Sequence, residues 1–203
     1  MMSQAGNVDV NSLIQRLRRL ATLDTTVFDE VKDDPNATIP ALIIVAVSTF
    51  LTGIGGWLWL KMSDFDYKAG TFFFKSAIIG SVLAIVLWAV WVGVTYVMLS
   101  QIFRARADLN QLIRVMGFAS APLALGLLVF VPQLDYGIGL TSLALLFGTT
   151  QIAVQSTTDA PAGRVLAANG AGFAVWAIVL ELFVAGSYLY NSYAPGIFAF
   201  APR

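Results

Sequence analysis

The chain has 203 residues, 58% hydrophobic and 12% charged, and its twelve basic and twelve acidic side chains cancel. Soluble domains carry roughly 25% charged residues, so the composition points to a polytopic membrane protein, with a mean hydropathy of +0.76, and away from the basic footprint of nucleic-acid binding. Cysteine and histidine are both absent, which removes disulfides, thiolate and imidazole metal sites, haem ligation by imidazole and every nucleophile–histidine pair.

From the N-terminus, "NSLIQRLRRLATL" (11–23) places Leu13, Ile14, Leu17, Leu20 and Ala21 on one helical face, with Arg16, Arg18 and Arg19 around the other. Such a helix lies on the cytoplasmic leaflet or packs on a partner protein. In "TVFDEVKDDP" (26–35), Thr26 and Asp29 have the spacing of an imperfect capping box. Asp34 and Pro35 supply a cap and a first-turn proline for the helix that follows.

Five apolar runs then have the length, about 20 residues, that a helix needs to cross roughly 30 Å of hydrocarbon. They are 37–60, 76–99, 112–131, 137–156 and 167–190. Backbone groups in lipid must pair within their own segment, so each run is expected to be a helix. The expected architecture is all-α: a transmembrane bundle over 35–190, a cytoplasmic N-terminal segment over 1–34 and a short outer tail over 191–203. The first run follows an acidic stretch, so no cleaved signal peptide is expected. Eight basic residues (Arg16, Arg18, Arg19, Lys32, Arg104, Arg106, Arg114 and Arg164) fall on the N-terminal side, against Lys61, Lys68, Lys75 and Arg203 on the other. That asymmetry predicts a cytoplasmic N-terminus and an outer C-terminus. Trp57, Trp59, Phe72, Phe73, Phe74, Tyr136, Tyr188, Tyr190 and Tyr193 gather near the outer interface, where aromatic belts form.

The third run begins in "FRARADLNQLIRV", where Asp108 is a good N-cap and Gln111 stands three residues on, as in a capping box. Arg114 is expected to snorkel to the headgroups and joins Arg16, Arg18, Arg19, Arg104 and Arg106 as an interfacial basic set. Pro122 deprives the Phe118 carbonyl of its helical donor and clashes with it, at about 3 kcal/mol in a plain helix. Ser120, Thr95 and Thr150 are the expected replacement donors, and a kink is expected with Gly117 and Gly126 at tight contacts. Small residues four apart let helices approach closely. Gly80 and Ala84, Gly117, Ala121 and Ala124, Gly148, and Gly170, Ala174 and Ala177 are placed to do so.

Glu181 is the one ionisable residue deep in any expected span. A charge there costs roughly 2.5–3.5 kcal/mol, so it is expected to face the bundle. It reads either as a proton- or cation-binding carboxylate or as a protonated acid hydrogen-bonded to Thr149, Thr150 or Gln151. Enzyme motifs do not appear. "TGIGG" (52–56) lacks the strand–helix setting of a nucleotide loop, and Asp64 and Asp66 read as a solvated loop. Neither catalysis, cofactor nor metal is expected.

The order "F…ADLNQLIRVMGFASAPLALG" resembles the Yip-domain family of five-span membrane proteins. There a glycine–aromatic pair is followed closely by proline in the third span, and Gly117, Phe118 and Pro122 fill that pattern. Family members more often have tyrosine where this chain has Phe118. Phe28, Asp29, Val31, Asp34 and Pro35 match a second family feature before the first span. The resemblance covers roughly residues 25–190 and is closest to the bacterial members. The Rab-binding role of eukaryotic members is not carried over, because the short N-terminal segment lacks their acidic "DLYGP"-type motif. The resemblance implies a multi-pass protein of the plasma membrane without assigned catalysis. On this reading the chain is a membrane organiser, assembly factor or accessory subunit in contact with membrane lipids and with membrane-protein partners or a second copy. The alternative is a small ion- or proton-coupled transporter or channel using Glu181.

Overall fold

Backbone groups in hydrocarbon have no water to bond, which leaves helices and closed barrels as the spanning structures. The computed structural model describes residues 9–62, 72–131 and 133–185, with side chains through Phe183, and these residues contain helices and no strand. Short α1 (Val10–Ala21) and α2 (Thr26–Asp33) lead through a 3-10 turn at Pro35–Ala37 into α3 (Thr38–Met62). Helix α4 (Gly80–Val97) is flanked by π-helical turns at Phe74–Ile79 and Met98–Ile102. Helix α5 (Leu109–Ala119) continues as a ten-residue 3-10 stretch, Ala121–Phe130, before α6 (Asp135–Gln155) and α7 (Ala162–Ala185). Five segments are long and apolar enough to cross a membrane: Pro35–Met62, Phe74–Ile102, Leu109–Phe130, Asp135–Gln155 and Ala162–Phe183.

Helix α3 is the hub. It packs most extensively on the 3-10 stretch and also meets α5, α4 and the first π turn. Helices α4 and α7 pair with each other, while α6 covers the 3-10 stretch and α5. Val27, Phe28 and Val31 of α2 are fully buried and plug the N-terminal end of the bundle against α5.

The expected spans and the helices agree within three residues at every described end but one. The second extends to Phe74 and Ile102. The fifth begins at Ala162 rather than near 167, because the Pro161 carbonyl accepts from the Arg164 and Val165 amides at 2.8 and 3.2 Å and opens the helix there. Residues 186–190 of the expected fifth span lie outside the described residues, as do the tail 191–203, Asp64, Asp66 and Lys68.

Helix α1 is clamped to its own chain. Asp9 caps it by accepting from the Asn11 amide at 3.0 Å. It ends in a Schellman motif: the Leu23 amide donates to the Leu20 carbonyl and the Asp24 amide to the Arg19 carbonyl, at 3.0 and 2.9 Å. The apolar clasp usual in that motif is replaced by an ion pair, Arg19–Asp24 at 2.8 Å. Arg19 also pairs with Glu30 at 2.7 Å, and Arg16 with Asp34 at 2.9 Å. The expected Thr26–Asp29 cap does not form. Asp24 instead accepts from the Thr26 amide and hydroxyl at 3.0 and 2.6 Å, while Asp29 takes Lys32.

Hydrogen bonds from Thr26 and then Arg19 hold the Asp24 carboxyl down to about 2, from 3.8. A depressed carboxylate contributes stability that is complete above pH 3.8 and disappears as pH falls through about 2. Thr26→Val is expected to raise the Asp24 midpoint toward 3.8. Carboxyl carbon shifts in an NMR titration read this directly, and an unmoved midpoint contradicts the assignment.

Candidate functional site

Pro122 lies just past the end of α5, where the chain changes from α-helix to 3-10 helix. The 3-10 stretch has three residues per turn, so its residues sort onto three edges. Leu123, Gly126 and Val129 form the buried edge. Pro122, Leu125 and Leu128 form the most open one. Runs of this length are uncommon because the hydrogen-bond geometry is poorer than in an α-helix.

Hydroxyls from neighbouring helices support the loosened carbonyls. Thr52 of α3 donates to the Leu123 carbonyl at 2.6 Å, and Ser142 of α6 to Pro122 at 3.0 Å. Thr149 of α6 donates to Ala119 at 2.8 Å. The donors expected from sequence act elsewhere. Ser120 bonds Met116 at 2.8 Å, and Thr150 bonds its own helix at Leu146. Thr95 is buried with no hydrogen-bond partner among the described residues. The reason is register: Thr52, Ser142 and Thr149 are the hydroxyls that face the break.

Close approach makes these bonds reachable. A Cβ on Gly126 would meet Thr52 Cγ2 at 2.6 Å, and one on Gly55 would run into the Gly126 carbonyl. Gly117 lies against Ala41, where a Cβ would come within 2.7 Å. Phe118 is fully buried, while Ala121 and Pro122 are half-buried. Gly148 has open space around it and Gly170 only ordinary contact, so neither is the tight site expected. The sequence reading passed over Gly55 by treating "TGIGG" only as a failed nucleotide loop.

A second polar node ties α4 to α7. Trp91 Nε1 donates to the Asn169 carbonyl and side-chain oxygen at 3.1 and 3.0 Å. Asn169 Nδ2 faces Thr150 Oγ1 at 3.3 Å and Gln151 Oε1 at 3.4 Å. Asn169, absent from the sequence reading, therefore takes the place expected for Glu181 beside Thr150 and Gln151.

Glu181 itself is exposed. Trp91 beside Asn169 and Ala84 beside Trp176 fix the antiparallel register, which puts Glu181 level with Ile79. It lies about 18 Å along α7 from Asn169, at 1.5 Å per residue. The expectation that it faces the bundle at mid-depth is thus corrected. Glu181 turns away from the bundle and needs no interior partner.

The basic set divides as well. Arg114 does not snorkel: it donates to the Lys32 carbonyl at 2.7 Å and closes the last turn of α2. Gln111 completes only half of its capping box. Its amide bonds Asp108 at 3.0 Å while its side chain reaches Asp33. Arg16 and Arg19 are paired with acids; Arg18, Arg104 and Arg106 are exposed, with no side-chain partner among the described residues.

Two clefts remain. One of about 340 Å³ is polar and of mixed charge, bordered by Lys32, Asp33, Arg106 and Asp159. The other, of about 500 Å³, runs between α1, the open 3-10 edge and α6, with Leu17, Leu20, Pro122, Leu125, Leu128 and Leu145 in its walls. No group of three or more metal-ligating side chains occurs among the described residues.

The family model described as the Yip1 domain matches residues 23–188, most of the chain. No curated protein and no solved structure matches.

Thr52→Val leaves the Leu123 carbonyl short of its outside donor and is expected to destabilise the protein by about 1–3 kcal/mol. Thr49→Val, equally buried but bonded only within α3, is expected to cost well under half of that. Gly55→Ala is expected to be severely destabilising and Gly148→Ala neutral or better. Thermal melts in detergent rank the four, and equal costs for Thr52→Val and Thr49→Val contradict the assignment.

Proposed function

The chain belongs to the Yip1 domain family, and on that premise we propose that it is a non-enzymatic integral membrane protein that works by assembly. It serves as a membrane organiser, assembly factor or accessory subunit of a larger membrane complex. The observation that supports this reading is the character of the buried polar side chains. Among the described residues they are serines, threonines and Asn169, all neutral, and most donate to backbone carbonyls of the bundle. An interior built this way holds helices in register. It offers no ionisable relay of the kind that intramembrane transport uses. The transporter reading relied on Glu181 beside the polar half of α6, and Glu181 sits on the outside, far from Thr149, Thr150 and Gln151.

The basic asymmetry supports a cytoplasmic N-terminus, and a plasma membrane is the proposed setting. Catalysis by the hydroxyls is disfavoured by chemistry, since no histidine exists in the chain to act as their base. The partners are one or more membrane proteins or a second copy of the chain.

Affinity purification of the intact chain in mild detergent, followed by mass spectrometry and native sizing, is expected to recover a defined membrane-protein partner or a homo-oligomer. A lone monomer contradicts the proposal. In proteoliposomes, proton and cation flux is expected to equal that of empty vesicles, and flux abolished by Glu181→Gln restores the transporter reading.

A further inference from the structure

We propose that the apolar cleft between α1 and the 3-10 stretch is a phospholipid site, with one acyl chain along Pro122, Leu125 and Leu128 and the headgroup phosphate on Arg18. The site goes beyond the assembly reading and needs only that the chain sits in a membrane.

Shape comes first. The 3-10 wall of the cleft runs from Ala121 to Leu128, and α5 adds Phe118 and Ala119. At about 2.0 Å rise per residue, Ala119 to Leu128 spans roughly 18 Å. One leaflet of hydrocarbon is about 15 Å deep, half of the usual 30 Å. A slot of that length, with about 500 Å³ of space, suits one acyl chain lying along the 3-10 stretch.

Chemistry agrees. Thr149 is the one hydroxyl-bearing side chain in the lining, and its hydroxyl is already committed to the Ala119 carbonyl. Nothing inside the cleft asks for a polar ligand. The charge stands at its edge. Of the three α1 arginines, Arg16 and Arg19 are held by Asp34, Asp24 and Glu30. Arg18 is exposed and has no acidic partner among the described residues. At 3.6 residues per turn it stands on the flank of the α1 face whose Leu17, Leu20 and Ala21 line the cleft. An unpaired guanidinium on the flank of an apolar slot can reach a phosphate above an acyl chain.

Leu23 gives an independent indication. It occupies the left-handed position of the Schellman motif, with φ 61°, where glycine is the unstrained choice. The chain places a leucine there, 72% exposed, at the wall of the cleft. An acyl chain in the cleft gives this side chain the burial that the protein alone does not.

The test uses the full chain in phosphatidylcholine vesicles containing a phosphatidylglycerol with a diazirine in one acyl chain. After irradiation, labelled positions are mapped by mass spectrometry. Label is expected to concentrate on the segments containing Leu20, Leu23 and Leu125, above the exposed residues Val82, Val86 and Ile178. Arg18→Gln is expected to lower cleft labelling roughly fivefold, the scale of one surface charge-assisted contact. Ala124→Phe fills the slot and is expected to abolish labelling. The Arg18 side chain has no partner among the described residues, so its variant remains informative if Ala124→Phe fails to fold. Leu23→Gly is expected to reduce labelling while the melting temperature holds or rises. Label spread evenly over all exposed faces, or cleft label indifferent to Arg18→Gln, overturns the proposal. So does a photoreactive side chain at Leu125 that captures protein rather than lipid. A chain that purifies as a lone monomer yet labels in the cleft defeats the assembly reading and leaves this one standing.

Discussion

A carbonyl in hydrocarbon must have a donor, and the structure is organised around the place where the chain withholds one. Pro122 has no amide to give, and the 3-10 stretch behind it pairs its carbonyls less well than an α-helix does. Thr52, Ser142 and Thr149 supply donors from two different helices. That requirement fixes the height of α3 and α6 against the break. It also explains the glycines, because a side chain on Gly126 would displace Thr52 and one on Gly55 would strike the Gly126 carbonyl. The thin 3-10 rod leaves room beside it, and the apolar cleft occupies that room.

At the N-terminal end of the bundle, charge does the joining. Arg114 closes α2, Lys32 donates to the Ser156 carbonyl at 3.1 Å, and the Arg106 amide donates to Asp159 at 3.2 Å. These contacts tie α2 to α5 and to the connection between α6 and α7. Exposed ion pairs contribute little singly, so burial of Val27, Phe28 and Val31 carries most of the stability and the polar contacts set the alignment. Only part of the basic set that sequence assigned to the membrane surface is therefore free to face it.

Much of this was legible in the residues. Hydropathy marked five spanning helices, the Asp108 cap formed, and Pro122 located the break. Those are local properties, read within one window. The identity of the supporting donors was not legible, because Thr52 and Leu123 lie 71 positions apart and their meeting depends on how two helices are set against each other. Glu181 was misplaced for a related reason. A hydropathy window cannot tell which face of α7 packs on α4, and Glu181 turns away from that face. Asn169 escaped notice because its amide is neutral and near the expected start of the fifth span, although a buried amide must find partners just as a charge must.

The central claim is that an outside hydroxyl supports the 3-10 backbone, and infrared spectroscopy of a chain carrying a single isotope-labelled carbonyl at Leu123 tests it most directly. The account predicts a lowered stretching frequency in the native protein, from the added Thr52 bond, and a rise when that hydroxyl is removed. An identical frequency with and without the hydroxyl contradicts it.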